Sequence, residues 1–308
     1  MICAVIGGGP AGLNAALLLA RARHKVILFD NAKPRNAVTE TMHGFITREG
    51  ISPLKFRKLA QQELAQFKHV KQYQSTITDI KRGNNGIFTI TTAQGKKIQV
   101  NKVLLATGLQ ESLPSIRNIA HYYGHSVFSC PYCDGYELRD RALAIFTEVN
   151  NVVSLTSLLQ QWSKRLFVFT NGKYKLTTSE KELLKAMNIA VYEQPIAQLV
   201  GQKGKLQGVL LKDGSKVNCT GGFVSTYWRH AGALATEIGC RLTEQGGIWQ
   251  DGKGRTSIQG VYVAGDMAHV SPAQAVIAAG DGVKAAISMN QDAAQQRLTK
   301  VQAIIRQQ

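Results

Sequence analysis

At 308 residues, with 44% hydrophobic and 19% charged residues and only 7 Pro, the chain has the make-up of a globular protein able to bury two full cores, which excludes a disordered or low-complexity chain. Its net charge of +17 is uneven, with 16 Lys+Arg against 5 Asp+Glu in residues 1–110 and 14 against 10 in residues 111–240. Arg21, Arg23, Lys25, Lys55, Arg57, Lys58, Lys96 and Lys97 are scattered and not interleaved with aromatics, so nucleic-acid binding gains no support; a solvated basic surface or steering of an acidic protein partner remains.

The first twenty residues are apolar, but they lack a basic leader and are broken by Gly7-Gly8-Gly9-Pro10 and Asn14. No stretch approaches the roughly 18–20 apolar residues of a membrane span, and a cytoplasmic protein is expected. Residues 2–6 read as a buried strand, 13–23 as a helix rich in Ala and Leu, and 25–30 as a second strand. Between the first strand and the helix lies Gly7-Gly8-Gly9-Pro10-Ala11-Gly12, a G-x-G-x-x-G loop in the context that dinucleotide binding requires. Its glycines let the backbone and the helix N-terminus approach a pyrophosphate, and Asp30 at the end of the second strand is placed to accept from a ribose.

Ser52 as N-cap and Pro53 at the first position predict a helix over 52–67. Segments 75–80, 88–92 and 97–105 read as an antiparallel excursion returning to a buried strand that ends in Leu104-Leu105-Ala106-Thr107-Gly108. A break near Ser112-Leu113-Pro114 opens a new unit. There Cys130-Pro131-Tyr132-Cys133-Asp134-Gly135 puts two sulfurs within disulfide reach, whereas Cys3, Cys219 and Cys240 stand singly, as buried or incidental thiols do. His121 and His125 precede the pair without a second C-x-x-C, which argues against a metal site. A strand at 142–146, a helix through 162 and a strand at 166–170 make a second βαβ unit, and 217–224 reads as a further strand. Finally Gly260-Val261-Tyr262-Val263-Ala264-Gly265-Asp266 is a strand whose terminal Gly265-Asp266 can reach the ribityl and pyrophosphate region of a flavin dinucleotide.

Taken together these segments resemble the FAD-binding pattern of flavoproteins with two dinucleotide domains. With the C-x-x-C-Asp that opens the second unit, the whole chain resembles low-molecular-weight thioredoxin reductases and their flavin dithiol oxidase relatives. The resemblance implies an α/β fold of two Rossmann-like, three-layer domains, an FAD domain over 1–112 and 244–308 with a unit over 113–243 inserted in it, and a homodimer. It also implies FAD held by Gly7, Gly9, Pro10, Ala11, Gly12, Asp30, Asn36, His43, Ala106, Thr107, Gly108, Gly265 and Asp266, with Gln274 and Ala275 of Ser271-Pro272-Ala273-Gln274-Ala275 beside the flavin ring. By the same resemblance Cys133 is the sulfur nearer the flavin, Cys130 exchanges with substrate, and Asp134 manages protons.

One departure stands out. Thioredoxin reductases that use NADPH carry a second glycine fingerprint after the first strand of the inserted unit and arginines after the next. Here the first position reads Phe146-Thr147-Glu148-Val149-Asn150-Asn151, without glycine, and the second Phe169-Thr170-Asn171-Gly172, with Lys173 and Lys175 but no arginine pair. A flavin enzyme that works without NADPH is expected, serving a thioredoxin-like protein or a small dithiol or disulfide. Its other electron partner would be dioxygen, as in dithiol oxidases, or an acidic electron-transfer protein such as ferredoxin. Asp134, standing where the resemblance leads one to expect His in dithiol oxidases, and the basic first third favour the acidic protein. An NADPH-dependent reductase with a divergent loop and a non-catalytic flavin-binding redox sensor are the alternatives.

Overall fold

The computed structural model describes residues 1–268 and 273–307. Its first unit is built on a wholly parallel sheet in the order Val261–Val263, Lys102–Leu105, Ile2–Ile6, Lys25–Asp30, Val70–Gln74. Strands with neighbours on both sides and cover on both faces read as unbroken apolar runs, and Ile2–Ile6 is buried from Cys3 onward. Cys3 and Val5 point to one face, where the helices Pro10–Arg21, Pro53–Ala65 and Ala275–Gln307 pack. Ala4 and Ile6 point to the other, which is covered by the antiparallel sheet Ile77–Arg82, Phe88–Thr92, Lys97–Val100 and by Leu234, Ala235 and Cys240. The packing thus returns to the first sheet before residue 244.

The expected helix over 52–67 is present as Pro53–Ala65, with the Ser52 hydroxyl accepting from the Lys55 amide at 3.2 Å. The 33-residue helix Ala275–Gln307 lies so close to Pro10–Arg21 that a Cβ on Gly282 would stand 2.0 Å from the Ala11 carbonyl oxygen. Midway, Asp292 fixes it to the sheet by accepting from Arg255 at 2.8 and 2.9 Å and from the Tyr262 hydroxyl at 2.6 Å. Beyond that anchor Leu298, Val301, Ile304 and Ile305 are exposed. No helix among the described residues is long and apolar enough to cross a membrane.

The second unit repeats the plan with a parallel sheet in the order Ala190–Tyr192, Leu166–Phe169, Leu143–Phe146, Gly221–Val224, Val127–Phe128. The strand read at 217–224 is two strands. Lys216–Val217 closes an antiparallel sheet with Ile196–Gln202 and Lys205–Leu211, and the chain turns at Asn218-Cys219-Thr220 before Gly221–Val224 enters the parallel sheet. A Cβ on Gly222 would lie 2.5 Å from the Ala144 carbonyl oxygen, so glycine permits that close pairing. The two crossings between units, Leu109–Ser112 and Tyr227–His230, pair with each other as antiparallel strands. This is a mixed α/β fold of two Rossmann-like units.

Candidate active site

A cavity of about 790 Å³ lies between the units, within the size range of cofactor sites, about 300–1,000 Å³. Its walls gather segments far apart in sequence: Gly7, Gly9, Pro10 and Ala11; Asp30; Asn36 and His43; Ala106, Thr107 and Gly108; Cys130, Cys133 and Asp134; Gly265 and Asp266; Gln274 and Ala275. Gly12 is the one expected residue behind the wall. Ser271 and Pro272 lie outside the described residues.

Each fingerprint glycine has its own reason to be there. Gly7 sits at φ +111°, with the Ala106 carbonyl oxygen 2.1 Å from where a Cβ would be, and a Cβ on Gly12 would strike the Gly7 oxygen at 1.9 Å. Gly9 has nothing within 4 Å on its Cβ side. It is also the N-cap of Pro10–Arg21 and makes no side-chain cap, so the partnerless N–H groups of the first turn are left to the cavity. These features fit a dinucleotide: a backbone cradle, a bare helix start, and carboxylates toward either end.

Asp30 is held by a residue that sequence reading passed over. The guanidinium of Arg57, itself buried, pairs with the Asp30 carboxylate and donates through Nε to the Gly8 carbonyl at 3.3 Å. Arg57 shares the inward stripe of its helix with Pro53 and Leu64, and a charged residue in an otherwise inward stripe was the available signal. Asp266 is likewise held by Arg35, whose second nitrogen reaches Glu111 at 2.9 Å. Glu111 in turn accepts from the hydroxyls of Tyr123 and Ser129, so hydrogen bonds run from Asp266 to the residue preceding Cys130.

Cys130 and Cys133 form a disulfide with Cα atoms 5.3 Å apart. Pro131–Asp134 is a single helical turn with Cys130 as N-cap, its sulfur 3.2 Å from the Cys133 amide. The three other cysteines are buried, and burial pushes the thiols of Cys3 and Cys219 up to about 12, which keeps them protonated and inert. Asp134, next to Cys133, is also buried. Burial pushes its carboxyl up to about 7; the neighbouring His43 draws it down and Glu137 raises it further.

Because the folded-state value lies above the ordinary one near 4, the stability contributed by protonated Asp134 is complete below about pH 4 and is lost as pH rises to about 7. Asp134→Asn removes this loss, so the variant should gain on the parent between pH 4.5 and 7.5, by on the order of 2–4 kcal/mol. Urea unfolding at the two pH values measures this, and a stability difference that does not change with pH contradicts it.

In the second unit the turn after Leu143–Phe146 is tied down by side chains. The Glu148 carboxylate accepts from the Asn171 amide at 2.8 Å and from the Tyr227 hydroxyl at 3.1 Å. The Thr147 hydroxyl donates to Asn151 at 2.6 Å, and Asn151 donates to Ser225 at 3.3 Å. Asn171 also accepts from the Ile196 amide at 2.9 Å, so it is engaged at both ends.

The chain is similar in sequence and fold to known proteins. The profile of the family described as pyridine nucleotide-disulphide oxidoreductase matches residues 1–154 and 162–282. A thioredoxin reductase of Leptosphaeria maculans, sirT, is 31% identical over 302 residues, spanning 93% of this chain and 92% of its own. Among solved structures, a putative thioredoxin reductase of Bacillus anthracis, TrxB, is 41% identical with a TM-score of 0.93 over 96% of this chain and 100% of its own. The protein HlmI is 32% identical with a TM-score of 0.94 over 100% and 97%. The cavity, the disulfide and these likenesses agree: the chain belongs to the pyridine nucleotide-disulphide oxidoreductase family, among its thioredoxin reductase-like, FAD-binding members, oxidoreductases that act on sulfur groups.

Proposed function

We propose that this flavoprotein exchanges electrons between FAD and the Cys130–Cys133 pair without a pyridine nucleotide, oxidising a dithiol or reducing a disulfide outside the cavity. The observation that carries the reading is the turn at 147–151. A pyrophosphate there needs bare backbone, and Glu148 instead sets a carboxylate, held by Asn171 and Tyr227, at the start of the helix Val152–Leu159. FAD, held by the glycine cradle, Asp30, Asp266 and the start of Ala275–Gln307, supplies two-electron redox chemistry. The chain's own groups hold the disulfide at the same cavity, with Cys133 toward the cofactor, Cys130 toward substrate and Asp134 as proton donor and acceptor.

Anaerobic stopped-flow absorbance tests this. Dithiothreitol should bleach the flavin and admitted oxygen should restore it, whereas micromolar NADPH should leave it oxidised; rapid bleaching by NADPH would sink the reading. A second reading, in which an acidic iron–sulfur protein such as ferredoxin reduces the enzyme and a thioredoxin-like protein takes the electrons, is favoured by the net charge of +17, most of which falls in the first 110 residues. Thioredoxin reduction that requires reduced ferredoxin selects it. The exposed stripe of Leu298, Val301, Ile304 and Ile305 supports a homodimer.

A further inference from the structure

The loop after the 3-10 turn Arg35–Val38 brings a histidine to the cysteine side of the cavity, between carboxylates of both units. His43 Nδ1 lies 2.5 Å from Glu49 Oε1. Its Nε2 lies 3.1 Å from the Thr41 hydroxyl and 3.7 Å from Glu137 Oε1. The Glu49 side chain is 61% exposed and that of His43 only 16%, so the imidazole is sheltered while its Nδ1 partner stands in water. Glu49 is also anchored, its second oxygen accepting from the Gly44 amide at 2.9 Å. Glu137, from the second unit, follows Asp134 by three residues, just past the single helical turn Pro131–Asp134. His43 and Asp134 line the same cavity, where His43 draws that carboxyl down and Glu137 raises it.

Resting on the function proposed above, we propose that His43 and Glu49 form a proton relay, carrying protons between solvent and the buried carboxyl of Asp134. Imidazole suits the task because one ring nitrogen can accept a proton while the other releases one near neutral pH. In the step it serves, a substrate thiolate attacks the Cys130 sulfur, a new S–S bond forms, and the Cys130–Cys133 bond breaks with its electron pair on Cys133. Asp134 gives its proton to that sulfur. His43 restores the proton from the Nε2 side and is itself refilled at Nδ1 through Glu49 from water, which has taken up the proton the substrate thiol lost. The second substrate thiol loses its proton to water and attacks the mixed disulfide at the substrate sulfur. Cys130 leaves as a thiolate and is protonated by water. The dithiol has lost two S–H bonds and become a disulfide, and the protein disulfide has gained two.

His43→Gln in the holoenzyme, with flavin absorbance confirming that FAD is retained, is the direct test. Anaerobic reduction by dithiothreitol should slow by about 10- to 100-fold, and millimolar imidazole should restore much of the rate while leaving the parent unchanged. Independently of turnover, the infrared carboxyl band lost in Asp134→Asn should titrate at higher pH in His43→Gln than in the parent. Should His43→Gln lose FAD, Glu49→Gln on the surface carries the same tests, with a slower rate and a weaker dependence on buffer pH. No imidazole rescue and an unmoved Asp134 midpoint overturn the relay. A moved midpoint in a parent that does not react with dithiols upholds the link between His43 and Asp134 and overturns the dithiol reading instead.

Discussion

Replacing Cys133 with serine is expected to slow flavin bleaching by dithiothreitol by at least about 10³-fold, some 4 kcal/mol of barrier, while the variant still purifies yellow. A serine oxygen cannot join Cys130 in a disulfide, nor leave as a stabilised anion when Cys130 is attacked, so the proposed electron path is cut at the cysteine pair. The cradle is untouched, because the cysteine loop contributes none of the close contacts of the glycine loop. The absorbance spectrum of the purified variant checks cofactor content, and the stopped-flow trace checks the rate. Bleaching as fast as in the parent would mean that electrons reach the flavin without the cysteine pair.

The second large effect separates folding from cofactor binding within one loop. Gly12→Val places a branched side chain where the Gly7 carbonyl oxygen stands 1.9 Å from the Cβ position, and that carbonyl is backbone that cannot swing aside. Destabilisation above about 4 kcal/mol is expected, visible as loss of soluble protein or a collapsed urea midpoint. Gly9→Ala puts its methyl where nothing stands within 4 Å, at an ordinary φ of −80°. The fold should keep its urea midpoint while FAD is lost on dialysis, because the methyl points into space that the pyrophosphate needs. Equal loss of stability in the two variants would contradict this division of roles.

The parts legible in the sequence were those whose chemistry is local. The glycine loop, its flanking strand and helix, and the C-x-x-C each contain their own evidence within a few residues, and the cavity draws them together. Val70–Gln74 went unread because an edge strand exposing Lys71, Gln72 and Gln74 lacks the apolar run of the inner strands. The helix Thr178–Ala186 was readable and passed over: Thr177 and Glu180 spell a capping box, and both of its hydrogen bonds are made. By contrast, nothing near Arg35, Glu111 or Ser129 announces that they meet. They come from three separate segments of the chain, and only the folded chain brings them into one line of hydrogen bonds.

That the cavity takes its walls from both units has a thermodynamic consequence. A ligand that touches only the native arrangement adds RT ln(1 + [L]/Kd) to stability, about 4 kcal/mol at a thousandfold excess over Kd. Here that sum falls on the arrangement of the two units as well as on either unit alone, since Ala106 and Gly265 of the first and Ser129 and Cys133 of the second line the same space. The cofactor therefore acts as mortar as well as reagent: two units, each with its own core, are expected to melt as one when it is bound.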